Sequence, residues 1–230
     1  MLECWDVERE MQRQFLADGG YFEGSLGYHL YVLNVLLFVH WLCRMAHIAS
    51  PVREDILRSA LAFAAQLTGP DGSVPKIGDW DDGYMFSPCF DYPHTITSML
   101  SLGKTLLGMK DIRYEPRRLT ALPHSQMACW RNHKNELIVF RAADVEHGHS
   151  HLDMLSLTYI GTNGPVILDG GTFQYNHSRE KRNAYRGLEA HSTIIGDGWW
   201  PVKPCGLLPG EESSRSILSL GIGGSREAMQ

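Results

Sequence analysis

His147-Gly148-His149-Ser150-His151-Leu152-Asp153 decides how this chain is read. Three histidines and a carboxylate fall at every second position, and apolar residues from Met154 to Ile160 follow. That alternation predicts the start of a β-strand with His147, His149, His151 and Asp153 on one face. Imidazole and carboxylate groups gathered on one patch favour metal or proton-transfer chemistry over an apolar core. Two later stretches extend the pattern: Asp169-Gly170-Gly171, directly after an apolar run, and Ala190-His191-Ser192-Thr193. An unpaired carboxylate beside an apolar run is costly, so a shared ion explains Asp169 better than chance does.

Zinc takes imidazole nitrogens and carboxylate oxygens. His151 and Asp169 on successive strands of a hairpin, with His191 from a later strand, are the expected ligands of one such ion. Asp153 is expected to stand behind them and orient an imidazole. The same residues leave a second chemistry open: His151-x-Asp153 with the distant His191 also fits the facial triad of a non-haem Fe(II) oxygenase. The block of helices ahead of the patch speaks against that alternative.

Working outward, Trp5 to Ala17 has helical spacing and stops at Gly19-Gly20. The run from about Gly27 to Ile48 is apolar nearly all round. It is long enough on paper to cross a bilayer, but His29, Asn34, His40, Arg44 and His47 are costly in hydrocarbon, so it is read as a buried helix with no membrane insertion. Ser50-Pro51 predicts the next helix, running to about Leu67 with Ser50 as its cap. A loop rich in Gly, Asp and Pro follows, and Tyr92 to Gly108 is the last helix expected. Beyond Pro116 the pattern changes to short β-branched and aromatic runs: Met127–Trp130, Glu136–Ala142, Met154–Ile160, Val166–Leu168 and Ser192–Ile195. Gly161-Thr162-Asn163-Gly164 signals a hairpin. The expected class is therefore α+β: helix pairs over residues 1–116, then an antiparallel β-domain over residues 123–230. Few helices and few strands are present, so the chain reads as the middle of a larger protein.

Bulk properties exclude several classes. A net charge of −5 over 230 residues, with no basic tract, gives no sign of a nucleic-acid partner. Five scattered cysteines without a C-x-x-C pair read as reduced thiols rather than a disulfide framework. The first residues lack the basic and apolar blocks of a signal peptide.

Asp18-Gly19-Gly20-Tyr21-Phe22-Glu23-Gly24-Ser25-Leu26-Gly27-Tyr28-His29 is a Gly-rich loop entering a helix. Taken with the loop Gly78-Asp79-Trp80-Asp81-Asp82-Gly83, the His-x-His-x-Asp stretch, Ile167-Leu168-Asp169-Gly170-Gly171 and Ala190-His191-Ser192-Thr193, it resembles the heparinase II/III superfamily of polysaccharide lyases, in the family's order. The resemblance runs from about residue 10 to 200. It implies the end of an α/α-toroid followed by the first strands of an antiparallel β-sandwich, with a cleft between them. It further implies β-elimination on a uronic-acid glycan of the heparan sulfate, heparin or alginate kind. An inactive relative that only binds glycans is the alternative.

Carried over by position, the resemblance makes Tyr28 and His149 catalytic, with Tyr175 as a second tyrosine. It makes His151, Asp169 and His191 the ligands of one structural zinc ion. Glu23, His29 and Arg186 are expected to touch substrate, the last within the basic cluster Arg179, Lys181, Arg182 and Arg186. Three features depart from the family. An Asn-His pair that its members carry upstream of the tyrosine would fall before Met1, most of the toroid is expected to be missing with it, and the sandwich is cut short after about Gly198. Location in the cell envelope or outside the cell is a further implication of the resemblance.

Overall fold

The computed structural model describes residues 6–80, 85, 96–110, 118–143, 148–173 and 178–194, and the backbone of 204–205 and 208–209. Four helices come first: α1 (Val7–Gln14), α2 (Leu26–Met45), α3 (Glu54–Gln66) and α4 (Ile96–Leu107). Five strands follow, β1 (Leu119–Leu122), β2 (Met127–Arg131), β3 (Leu137–Arg141), β4 (Ser156–Gly161) and β5 (Gly164–Ile167). Helix α5 (Arg179–Arg186) and a short 3-10 turn at Leu188–Ala190 come next, then a two-stranded pairing of Pro204–Cys205 with Leu208–Pro209.

Helix α2 is the axis of the helical part. It opens on Ser25, whose hydroxyl accepts from the Tyr28 amide at 3.1 Å, and its leucines 30, 33 and 37 are buried. Length and composition would let Leu26–Met45 cross a bilayer, yet more than half of its most apolar stretch is buried inside the chain, as in the core helix of a folded domain. Helices α3 and α4 approach closely because Gly103 has no side chain: a Cβ there would stand 2.4 Å from a Leu61 methyl. Helix α3 begins at Glu54, later than Ser50-Pro51 suggests. The Ser50 hydroxyl is instead spent on the Val52 amide and the His40 ring.

The sheet runs in sequence order β1-β2-β3-β4-β5, each pair antiparallel. Pairing in register (Cys129 with Val139, Val139 with Thr158) aligns the alternation of all three central strands. Met127, Cys129, Leu137, Val139 and Ile160 therefore form one face, and that face joins the leucines of α2 and α3 in a continuous core. Arg131, buried on the same face, donates to the carbonyls of Gln66 (2.9 Å) and Thr68 (2.7 Å), closing the C-terminal end of α3 from the sheet. Asp18 accepts from the Ser125 amide and hydroxyl, both at 2.7 Å, and ties the loop after α1 to the β1–β2 turn.

The structure differs from the sequence expectations in three further places. Strand β4 begins at Ser156, so residues 148–155 are not strand; Ser150, His151, Leu152 and Asp153 are all buried in succession, with no alternation. Residues 192–194 are irregular, although the Ser192 carbonyl accepts from Leu157. The basic cluster is a helix, although Tyr92 to Gly108 is the last helix expected: Ser178 caps α5, and Arg182 and Arg186, one turn apart, form its buried side. The Gly161–Gly164 hairpin is present as expected.

Candidate active site and metal centre

The helices and the sheet meet along a seam of buried polar groups with Asp79 at its centre. Gly78, at φ +69°, brings the chain against residues 148–151: a Cβ there would lie 2.7 Å from the His149 carbonyl. The Asp79 amide donates to that carbonyl at 2.8 Å, and the Ser25 hydroxyl donates to the Asp79 carbonyl at 2.6 Å. The Asp79 side chain is 0% exposed. Its Oδ2 accepts from His149 Nδ1 at 3.2 Å and Arg182 at 2.8 Å. Its Oδ1 accepts from His151 Nε2 at 3.0 Å and the Thr172 hydroxyl at 3.3 Å. Burial pushes this carboxyl up, but the hydrogen bonds from His149 and His151, with the charge of Arg182 nearby, hold it well below the usual carboxylate range.

These bonds set the histidine tautomers. A carboxylate only accepts, so His149 carries its proton on Nδ1 and turns Nε2 outward, 3.9 Å from Glu23 Oε2. The Tyr28 ring, in the first turn of α2, stacks on the His149 ring with centroids 3.9 Å apart and planes at 26°. Both His149 and Glu23 remain about a quarter exposed, so this pair stands at the edge of the seam while Asp79 is sealed behind it.

On the other side of Asp79, His151 Nδ1 is buried without a hydrogen-bond partner, and so is His191 Nε2. Ligand atoms of His151, Asp169 and His191 all lie within 4.8 Å of one another. Asp169 Oδ1 accepts from the Gly171 amide at 2.9 Å, and Oδ2 lies 2.7 Å from His191 Nδ1. Burial disfavours the charged form of His191, and the Asp169 carboxylate overrides this and raises it above the ordinary histidine value. Two orphaned imidazole nitrogens beside a carboxylate cost about 1–3 kcal/mol each if nothing fills the space. The donor set therefore fits a divalent cation with nitrogen and oxygen preference, zinc among them.

Not every expected residue belongs to this site. Asp153 does not orient an imidazole: it pairs with Arg141 Nε at 2.8 Å, and Asp79 takes the orienting position instead. The carboxylate grouped with His151 and His191 is Asp169, while Asp153 pairs with Arg141. His29, expected at substrate, lies in the helical core between Phe15 and Phe63, because its position on α2 faces α3. Burial lowers its pKa to about 4, against one hydrogen bond to the Ala60 carbonyl. Arg186 is buried and donates to the carbonyls of Gly148 and Ser150, so it braces the His149 segment from behind. Tyr175 and His147 lie outside the described residues. The residues that sequence reasoning left without a role are Asp79 and Arg141, while Arg182, expected in a basic cluster gripping substrate, is spent on Asp79. A carboxylate in a Gly-Asp-Trp turn was visible, but its partners lie 70 to 103 positions away.

Comparison with known proteins places this arrangement. The heparinase II/III N-terminus family matches residues 4–87, and the heparinase II/III-like C-terminal family matches residues 115–199. The two cover about three quarters of the chain, which belongs to the heparinase II/III-like family. Its fold is similar to the crystal structure of a heparan sulfate lyase, HepC, from Pedobacter heparinus (TM-score 0.62, 20% identity, 83% of this chain and 32% of that one). It is also similar to a heparinase III gene product (TM-score 0.64, 20% identity, 83% and 32%) and to a further heparinase III (TM-score 0.60, 17% identity, 80% and 33%). The chain thus spans about a third of the length of these structures. No curated protein sequence matches it.

Proposed function

We propose that this chain carries the catalytic junction of a polysaccharide lyase that cleaves a uronic-acid glycan of the heparan sulfate type by β-elimination. The observation behind this reading is the stacked pair of Tyr28 and His149, with His149 locked by the buried Asp79 carboxylate.

In β-elimination a base removes the proton on C5 of the uronate, the C5–H electron pair becomes the C4=C5 double bond, and the C4–O4 bond breaks. The leaving O4 must receive a proton. His149, protonated at Nδ1 by its bond to Asp79, presents an Nε2 lone pair to take the C5 proton. Tyr28, face to face with it, holds a phenolic proton to give to O4. A sugar ring held against the stacked pair would meet both groups at once, which is the positional advantage that such a pair offers. Arg186 and Asp79 keep the His149 segment from shifting.

His151, Asp169 and His191 are proposed to hold one zinc ion. Bound there, zinc would supply positive charge and a rigid brace for the segment that carries His149. Tyr175 is proposed as a second catalytic tyrosine, Glu23 as a substrate contact beside His149 Nε2, and the cell envelope or exterior as the place of action.

The test is Tyr28→Phe in the full chain on heparan sulfate, followed by the ultraviolet absorbance of the unsaturated product. The rate should fall about 10²- to 10⁴-fold, the usual contribution of a positioned acid or base, with an unchanged melting temperature. Undiminished turnover would remove Tyr28 from the chemistry.

A further inference from the structure

We propose that Phe173, backed by Tyr185 and Lys181, is a stacking platform for a sugar ring of an anionic glycan, beside the Tyr28–His149 pair. The ligand class rests on the lyase reading, while the platform itself rests on its own geometry.

Phe173 is 56% exposed, an unusual place for a phenylalanine. Its backbone sits at φ +56°, a left-handed conformation that bulky residues rarely adopt and that clusters at functional sites. Its ring lies over the Tyr185 ring, with centroids 5.1 Å apart and planes at 13°. Lys181 Nζ stands 5.6 Å from the ring centroid. Lys181 and Tyr185 are one turn apart on α5 and both reach the ring, which still keeps more than half of its surface exposed.

The position joins this ring to the site. Thr172, the preceding residue, donates to Asp79 Oδ1 at 3.3 Å and accepts from the Trp80 amide at 2.7 Å. The Lys76 chain passes Gly171 on the same turn. An aromatic face carries negative charge density, so it attracts the polarised C–H groups on the flat side of a pyranose and excludes water from them. Lys181 over the ring, Lys76 beside Gly171 and exposed Arg179 in the first turn of α5 bring positive charge suited to the carboxylate or sulfate groups of the same sugar.

Calorimetric titration with size-defined heparan sulfate oligosaccharides tests the platform, in a Tyr28→Phe background so that ligand is not consumed. Phe173→Ala should weaken affinity about tenfold, Phe173→Trp should retain it, and Lys181→Gln should lose less, with a loss that fades as salt is raised. The melting temperature should not fall in any of these. In the active chain, Phe173→Ala should raise KM and leave kcat unchanged. Equal affinity before and after Phe173→Ala, or no affinity in the parent protein, overturns the platform. A clear loss of affinity, where the chain with Tyr28 intact forms no unsaturated product, leaves the platform standing and overturns the lyase reading.

Discussion

His29 and His151 are both almost fully buried, yet the molecule treats them in opposite ways. In the helical core His29 has Phe15 and Phe63 around it and one backbone carbonyl for a partner, and burial drives it to the neutral form. In the seam between helices and sheet, His151 meets a carboxylate on one nitrogen and faces a second carboxylate and another imidazole with the other. Burial expels charge where neighbours are apolar and concentrates it where opposite charges arrive together. The first environment serves stability alone. The second gathers the charged groups that the proposed ion and substrate would meet.

Removing the hub should show this contrast most strongly. Asp79→Ala leaves Arg182 and two histidines without their common carboxylate, and breaking a buried pair from one side costs about 3–5 kcal/mol. Chemical denaturation should show that loss, while His29→Leu, with no charge to strand, should cost far less. Equal costs for both substitutions would erase the distinction between the two regions.

Metal removal probes the same seam. The purified chain should hold one zinc equivalent by elemental analysis, and His151→Ala should lose it. With ion at about a thousandfold over its dissociation constant, binding adds roughly 4 kcal/mol of stability, so a chelator should lower the melting temperature of the parent protein and leave His151→Ala unmoved. Stoichiometric metal in His151→Ala would refute the ligand set.

Acid probes the core instead. His29 is neutral in the folded chain down to about pH 4, whereas the unfolded chain takes up its proton near 6.5. Stability is therefore whole above about pH 6.5 and declines as pH falls toward 4, by roughly 3 kcal/mol at about 1.4 kcal/mol per pH unit. His29→Leu should flatten that slope, and an unchanged slope would mean that the ring is not held neutral. The smallest effect belongs to the helix start: Ser25→Ala loses both the cap on the Tyr28 amide and the bond to the Asp79 carbonyl and should cost about 2 kcal/mol, read as a shift in denaturation midpoint.

Much of this was legible in the residues because local rules governed it. The α2 helix follows from its apolar run and its Ser25 cap, and the Gly161–Gly164 hairpin from its turn chemistry. The triad His151, Asp169 and His191 could be picked out because such residue types beside apolar runs need partners. What escaped was governed by distant contacts. Residues 147–153 alternate as a strand would, but the described part of that segment follows buried partners on Gly78-Asp79 and α5 rather than a sheet period. Helix α5 buries arginines, so a pattern that equates charge with surface reads it as a solvated loop. His29, adjacent to Tyr28 in sequence, points to the other side of the helix, and adjacency alone cannot separate a catalytic face from a core face.

The most direct trial of the account is mass analysis of the fragments released when the full chain acts on heparan sulfate. Elimination predicts new non-reducing ends that carry a C4=C5 double bond and are lighter by one water than hydrolysis would leave them. Fragments with saturated ends would contradict the chemistry assigned to Tyr28 and His149.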